Sequence, residues 1–273
     1  MCPSIRKSLL NSPSDRPAWY DAILPVIDLR HGQVVHGIAG RRDEYLPVSS
    51  RYVEDSRPGT IAMLYARTFG FQDCYVADLN AICEGQVDAA GLEAIAVQGL
   101  NVWLDAGIGN LDQWRACEQS LREWRPYRWV IGLESLESWQ SLSELITEIG
   151  AERLVFSLDL QNGTLLTSRN DFRDLTPLEV AQRAVHLGVR QQVVLDLAAV
   201  GEGGGTGVEP LLQELREQLP EVCLLAGGGM ASPADVEALV GLGVGRVLVA
   251  SALHNGRIAP FHAERRQGQP RLA

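Results

Sequence analysis

Positive charge is in deficit in this chain, cysteine pairs are missing, and no apolar run is long enough to cross a bilayer. The 273 residues carry 24 Lys and Arg against 34 Asp and Glu, a formal net charge of -10. That balance excludes an extended nucleic-acid surface, because a phosphate backbone is held by concentrated Lys and Arg. It does not exclude a small anionic ligand, which a few backbone amides can hold locally. The five cysteines (Cys2, Cys74, Cys83, Cys117 and Cys223) are scattered, with no CxxC pair. They read as buried, reduced thiols of a cytoplasmic protein, with no metal site. A membrane partner is not expected, since a spanning helix needs about 20 consecutive apolar residues. Residues 1–20 mix Arg, Lys, Ser, Pro and Asp without the continuous apolar core of a signal peptide. They read as an N-terminal arm ahead of a single domain over residues 21–273.

What the chain does have is a repeated phrase. Residues 26–35 read Val-Ile-Asp-Leu-Arg-His-Gly-Gln-Val-Val, and residues 157–166 read Ser-Leu-Asp-Leu-Gln-Asn-Gly-Thr-Leu-Leu. Asp28 and Asp159 stand 131 residues apart, as do Gly32 and Gly163. The echo continues at a spacing of 118 residues, where Asp78 matches Asp196 and Glu84-Gly85 matches Glu202-Gly203. The shorter spacing leaves about thirteen extra residues in the first unit of the first half. They fall in the Arg-, Asp-, Pro- and Ser-rich stretch 36–60, a candidate cover for an active site.

Eight short apolar runs alternate with helix-period segments. The expected strands are 23–28, 74–78, 102–105, 129–132, 154–159, 192–196, 222–226 and 246–250. The expected helices are 61–69, 89–98, 111–121, 136–149, 177–187, 208–219 and 234–242, with a short one over 251–255. The strand runs are apolar at consecutive positions, as strands covered on both faces are, which points to a parallel sheet. Thr176-Pro177 and Ser232-Pro233 supply N-caps with first-turn prolines. Gly70, Gly150, Gly188 and Gly243 mark helix ends. Eight βα units in one chain indicate an α/β fold, a single (β/α)8 barrel built from two duplicated half-barrels.

In such a barrel the site lies at the C-terminal ends of the strands. Asp28 and Asp159 close the first and fifth strands, opposite one another. Two carboxylates facing across a small substrate suit general acid–base chemistry, one giving a proton and the other taking one. Asp78 and Asp196 are candidates for holding loops, and Asp196 also for orienting a substrate. Glycine clusters form the second signal. Gly227, Gly228 and Gly229 follow the seventh strand, Ala250 and Ser251 the eighth, and Gly203, Gly204, Gly205, Thr206 and Gly207 the sixth. Small residues let backbone N–H groups converge on an anion, so a phosphate site is expected there, with Gly204, Gly205, Thr206, Gly227, Gly228, Gly229, Ala250 and Ser251 as its residues. The first half differs. Asp105-Ala106-Gly107 stands where the second half has three glycines, and Leu133 and Glu134 follow Gly132 where it has Ala-Ser. Negative charge there predicts one strong phosphate site and a degraded or repurposed partner. Arg30, His31, Arg41 and Arg42 could meet a second anionic group of a ligand, and otherwise read as solvated loop charges.

Ile23-Leu-Pro-Val-Ile-Asp-Leu, Val76-Ala-Asp-Leu-Asn, Leu158-Asp159, Ala226-Gly-Gly-Gly and Val249-Ala-Ser251 together resemble the histidine-biosynthesis barrels. These are the phosphoribosylformimino-5-aminoimidazole carboxamide ribotide isomerase and its cyclase relative. The resemblance covers about residues 23–258. It implies Asp28 as base and Asp159 as acid in an Amadori rearrangement of an aminoaldose to an aminoketose, with no metal or organic cofactor. The loop Gly37–Ser50 and the lengthened Glu202-Gly-Gly-Gly-Thr206 resemble a divergent branch found in methanogens and methylotrophs. Three functions fit: an isomerase of a phosphorylated sugar or aminosugar with a changed substrate, the histidine-pathway isomerase itself, and a non-catalytic phosphate-ligand binder or assembly subunit.

Overall fold

A computed structural model of the protein describes residues 16–121 and 124–261. Cys2 and most of the expected arm lie outside them. Eight parallel strands close into a ring: β1 (Ile23–Arg30), β3 (Asp73–Asp78), β4 (Asn101–Asp105), β5 (Arg128–Gly132), β6 (Leu154–Gln161), β8 (Gln191–Asp196), β9 (Cys223–Gly227) and β10 (Arg246–Val249). The ring closes where Ile23, Leu24 and Pro25 of β1 pair with Val247, Leu248 and Val249 of β10. Helices between successive strands sheathe it, as expected of a (β/α)8 barrel. Two short strands, β2 (Gln33–Val35) and β7 (Thr164–Leu165), fold back antiparallel on β1 and β6.

The strands are apolar on both faces because each face meets a different core. One set of side chains, including Ile27, Val76, Leu104, Trp129, Phe156 and Val194, packs outward against the helices. The alternate set, Leu24, Tyr75, Trp103, Val130, Val155, Val193, Leu225 and Leu248, fills the barrel interior. Strand periodicity of two carries the inward rows upward. Leu24 and Val26 lead to Asp28, Trp103 leads to Asp105, and Val155 and Ser157 lead to Asp159. Three carboxylates therefore end inward-facing rows at the same mouth.

Helix boundaries follow local chemistry. Ser232 with Asp235 and Thr176 with Glu179 form capping boxes, each followed by proline. The two hairpin turns share one backbone form. His31 and Gly32 take φ of 48° and 74°, and Asn162 and Gly163 take 52° and 74°. Paired positive φ values of this kind make the tight turn that matches strand twist. The next unit holds each turn. Asp196 accepts from the Asn162 and Gly163 amides at 3.0 and 2.7 Å, while Asn80 and Asp88 accept from those of His31 and Gly32 at 2.8 and 3.0 Å.

At the other end of the barrel, residues 18–21 make one helical turn. Tyr20 is buried, stacks on Phe71 at 5.3 Å and donates to the Phe69 carbonyl at 3.1 Å. Cys74, Cys117 and Cys223 are buried as expected, but Cys83 is exposed, because the helix Leu79–Glu84 turns that face to solvent. Among the described residues no helix is long and apolar enough to cross a membrane.

Candidate active site

The long segment after β2 lies across the mouth of the barrel. The His36 amide donates to Leu46 O at 2.9 Å and the Ala39 amide to Val200 O at 2.7 Å. A side chain on Gly201 would come within 2.2 Å of Gly37 O, so two glycine backbones pass where nothing larger fits. Arg42 reaches further, to the loop after β5. Its guanidinium donates to both oxygens of Glu134, at 3.0 and 2.6 Å. This is a partly buried bidentate pair, the two side chains being 24% and 34% exposed. That geometry is stronger than the ordinary surface ion pair. The segment expected to cover the site does so, and Arg42 fastens it. Arg41 is the solvated charge expected, shared between Glu44 and Glu202, and His31 is exposed beside Glu84.

Beneath this cover is a cavity of about 370 Å³. Asp28, Asp105 and Asp159 line it with Tyr45 and Tyr75, and Gly228, Gly229, Ala250, Ser251 and Arg257 line the side toward β9 and β10. Asp28 and Asp159 stand on opposite staves of the ring. Burial pushes both carboxyls up to about 7. Their neighbours then differ. Arg42 favours the charged form of Asp28, opposed by Asp105. Ser157 donates to Asp159 at 2.5 Å and the Glu134 amide at 3.2 Å, while Asp105 and the Glu134 carboxylate disfavour its charge. Two carboxyls poised near neutrality on opposite sides of one cavity suit proton transfer in both directions, one taking a proton and the other giving it. Gly132 makes room for Asp159, since a Cβ there would sit 2.8 Å from its Oδ2.

Asp105 is also pushed up by burial. It accepts from Tyr75 Oη at 2.9 Å and from the Gly107 amide at 3.1 Å. Burial holds the Tyr75 hydroxyl well above its usual range, so it remains a donor. Asp78 and Asp196 do not line the cavity. Asp78, pushed up to about 6 by burial, caps the helix Leu79–Glu84 and holds the Asp88 amide at 2.8 Å; Asp196 holds the turn after β6.

The expected phosphate residues fall into two groups. Gly228, Gly229, Ala250 and Ser251 line the cavity, and the Ser251 hydroxyl lies 3.3 Å from His36 Nδ1. Gly204, Gly205 and Thr206 line a separate shallow depression beside Asn162 and Asp196. Thr206 is buried and donates to Glu209 at 2.7 Å, at the head of the helix Glu209–Gln218. Gly227 lies within β9 under Leu248, where a Cβ would come within 2.5 Å of the Leu248 Cβ. His36, Tyr45, Tyr75 and Arg257 went unnoticed in the sequence. The first three follow from register and loop path. Arg257 had no signal beyond its place just after the last short helix, Ser251–His254. Among the described residues no cluster of side chains could hold a metal ion.

A family model described as histidine biosynthesis protein matches residues 22–259, nearly all of this barrel. The chain belongs to the histidine-biosynthesis protein family. Among its relatives is an uncharacterised protein of Methanocaldococcus jannaschii, 31% identical over 239 residues that make up 86% of this chain and 93% of the relative. Another is the 1-(5-phosphoribosyl)-5-((5-phosphoribosylamino)methylideneamino)imidazole-4-carboxamide isomerase of Thermomicrobium roseum, 31% identical over 243 residues, 86% of this chain and 93% of the relative. The isomerase of the same name from Methanococcus maripaludis is 25% identical over 239 residues, 86% and 95% of the two chains. The family thus includes proteins named as isomerases that match this chain over nearly their whole length.

Proposed function

We propose that this histidine-biosynthesis family barrel is an isomerase that converts a phosphorylated aminoaldose to the aminoketose, with Asp159 as acid and Asp28 as base. The reading rests above all on one observation. Two carboxyls on opposite staves of one covered cavity are both raised to about 7, each among different neighbours. Asp159, protonated, donates to the furanose ring oxygen. The ring C–O bond breaks and a Schiff base forms at C1. Asp28 then removes the C2 proton, the electron pair forms the C1–C2 double bond of an enolamine, and the imine nitrogen is neutralised. Loss of the C2 hydroxyl proton and protonation at C1 give the ketone. Each proton transfer of this kind contributes roughly 10²–10⁴ in rate. The phosphate lies against Gly228, Gly229 and Ser251, which orients C1 and C2 between the two aspartates. Chemistry of this kind asks nothing of a metal or organic cofactor, and its setting is the cytoplasm. The matched hairpin turns after β1 and β6, each held by the following unit, support descent from a duplicated half-barrel.

The test is turnover of N-glycosides formed from ribose 5-phosphate and simple amines, followed by NMR in D2O. Deuterium entering C1 of a ketose product is expected, and Asp28→Asn or Asp159→Asn abolishes it while ligand binding persists. Unchanged turnover in both variants would remove the catalytic reading and leave a phosphate-ligand binder or assembly subunit.

The 31% identity to the Thermomicrobium roseum protein favours a second reading, the histidine-pathway reaction itself. That protein's name carries two phosphoribosyl groups. Complementation of a histidine auxotroph lacking the isomerase separates the two. Growth is expected to fail, because the β4–β5 end of the cavity is acidic.

A further inference from the structure

The cavity wall holds two arginines, Arg42 and Arg257, and their situations are opposite. Arg42 is fully engaged by Glu134 through two hydrogen bonds. The Arg257 guanidinium pairs with no carboxylate among the described residues, and its backbone amide alone is bonded, to Asn255 Oδ1 at 3.0 Å. It lies beside the glycine loop, with its NH1 3.8 Å from where a Cβ on Gly203 would be. Backbone amides follow the same division. Those of Gly228 and Gly229, at φ of 97° and 65°, make no hydrogen bond among the described residues. The Gly107 amide, at the matching place in the first half, is taken by Asp105. The chain is also closed there, since a Cβ on Gly107 would come within 2.7 Å of Ile82 Cα.

From this we infer that the substrate carries one phosphate, bound by Arg257 beside Gly228, Gly229 and Ser251, and that Arg42–Glu134 with Asp105 rejects a second anionic group at the β4–β5 end. A guanidinium and backbone amides that line one cavity, with no partner among the described residues, can take an oxyanion together, because the planar fork matches two phosphate oxygens at once. A second phosphate at the other end would have to displace a bidentate carboxylate from Arg42 and lie near Asp105, with no uncommitted donor to repay it. The family likeness supplies the reaction and this division of charge supplies the substrate class. The inference rests on the isomerase reading only for placing the reacting carbons between the two ends.

Isothermal titration calorimetry on the full chain tests it, with inorganic phosphate, ribose 5-phosphate and ribulose 1,5-bisphosphate as probes. Ribose 5-phosphate is expected to bind in competition with inorganic phosphate, and the bisphosphate to bind no more tightly than the monophosphate. Arg257→Ala, at an exposed position where folding is not at stake, lowers affinity for both sugars roughly tenfold or more. Glu134→Gln releases Arg42 and raises bisphosphate affinity relative to monophosphate by about the same factor. A wild-type preference for the bisphosphate of about tenfold, an unchanged Arg257→Ala, or no binding of any phosphate probe each overturns the proposal. Should Glu134→Gln fail to fold, the wild-type ratio and Arg257→Ala decide the matter alone. These are equilibrium affinities, so they stand apart from turnover: normal turnover in the Asp28 and Asp159 variants sinks the isomerase reading without touching them.

Discussion

The two ends of the cavity occupy matching places in the barrel but carry opposite equipment. Toward β9 and β10 the wall is glycine backbone, a serine hydroxyl and an arginine that pairs with no carboxylate among the described residues. Toward β4 and β5 it is Asp105, Glu134 and an arginine already engaged. Between them stand Asp28 and Asp159, on opposite staves and both lining the cavity. In the proposed reaction the acid–base pair draws on both halves of the ring, and anion binding on one.

The largest effect expected from breaking this arrangement is catalytic. Asp28→Asn and Asp159→Asn each lower turnover by about 10³ or more while phosphate affinity changes less than about threefold. Loss of affinity in step with turnover would show that the carboxyls bind rather than react. A smaller effect is on pH dependence. A base and an acid both near 7 give a narrow bell in kcat/KM centred there. Arg42 favours charge on Asp28, so Arg42→Gln raises that carboxyl and moves the acidic limb to higher pH. Asp105 disfavours charge on both Asp28 and Asp159, so Asp105→Asn lowers both carboxyls and moves both limbs to lower pH. Movement of the wrong limb in Arg42→Gln, or of neither, breaks the assignment of base and acid.

Stability gives the next test. Asp28 holds its proton more tightly when folded than when unfolded, so its contribution to stability is lost as pH rises from the ordinary carboxylate range through about 7. Asp28→Asn removes that loss. The variant is expected to unfold at higher denaturant than wild type at pH 8, by about 1–2 kcal/mol, with the gap closing near pH 4. Equal stability at both pH values would mean the carboxyl is not desolvated. The smallest effect belongs to Thr206. Because it bonds Glu209 outside the cavity, Thr206→Val costs about 1 kcal/mol of stability and leaves phosphate affinity unchanged. A change in affinity would return the Thr206 loop to the site.

Much of this architecture is legible in the sequence, for physical reasons. Strands apolar at both parities have two buried faces, and all eight runs are barrel strands. Capping residues and terminal glycines fix the helices to within a few residues. Asp28 and Asp159 stand out because the repeated phrase puts each of them at the end of an apolar strand run. What escapes are features set by distant pairing. Arg42 reads as a solvated charge because its partner, Glu134, lies 92 residues away. The hairpins β2 and β7 are hidden by strands of three and two residues. The helix Leu79–Glu84 is only six residues long and reads as loop. A glycine cluster also does not say which way its loop faces: Gly203 lines the main cavity, while Gly204, Gly205 and Thr206 line the neighbouring depression.

The inequality of the two ends is tested most directly by a crystal of this protein soaked in phosphate. One ion is expected, against Gly228, Gly229 and Ser251 and within hydrogen-bond reach of the Arg257 guanidinium, with Arg42 still paired to Glu134. A phosphate beside Gly107 and Glu134, alone or together with the first, would contradict the account.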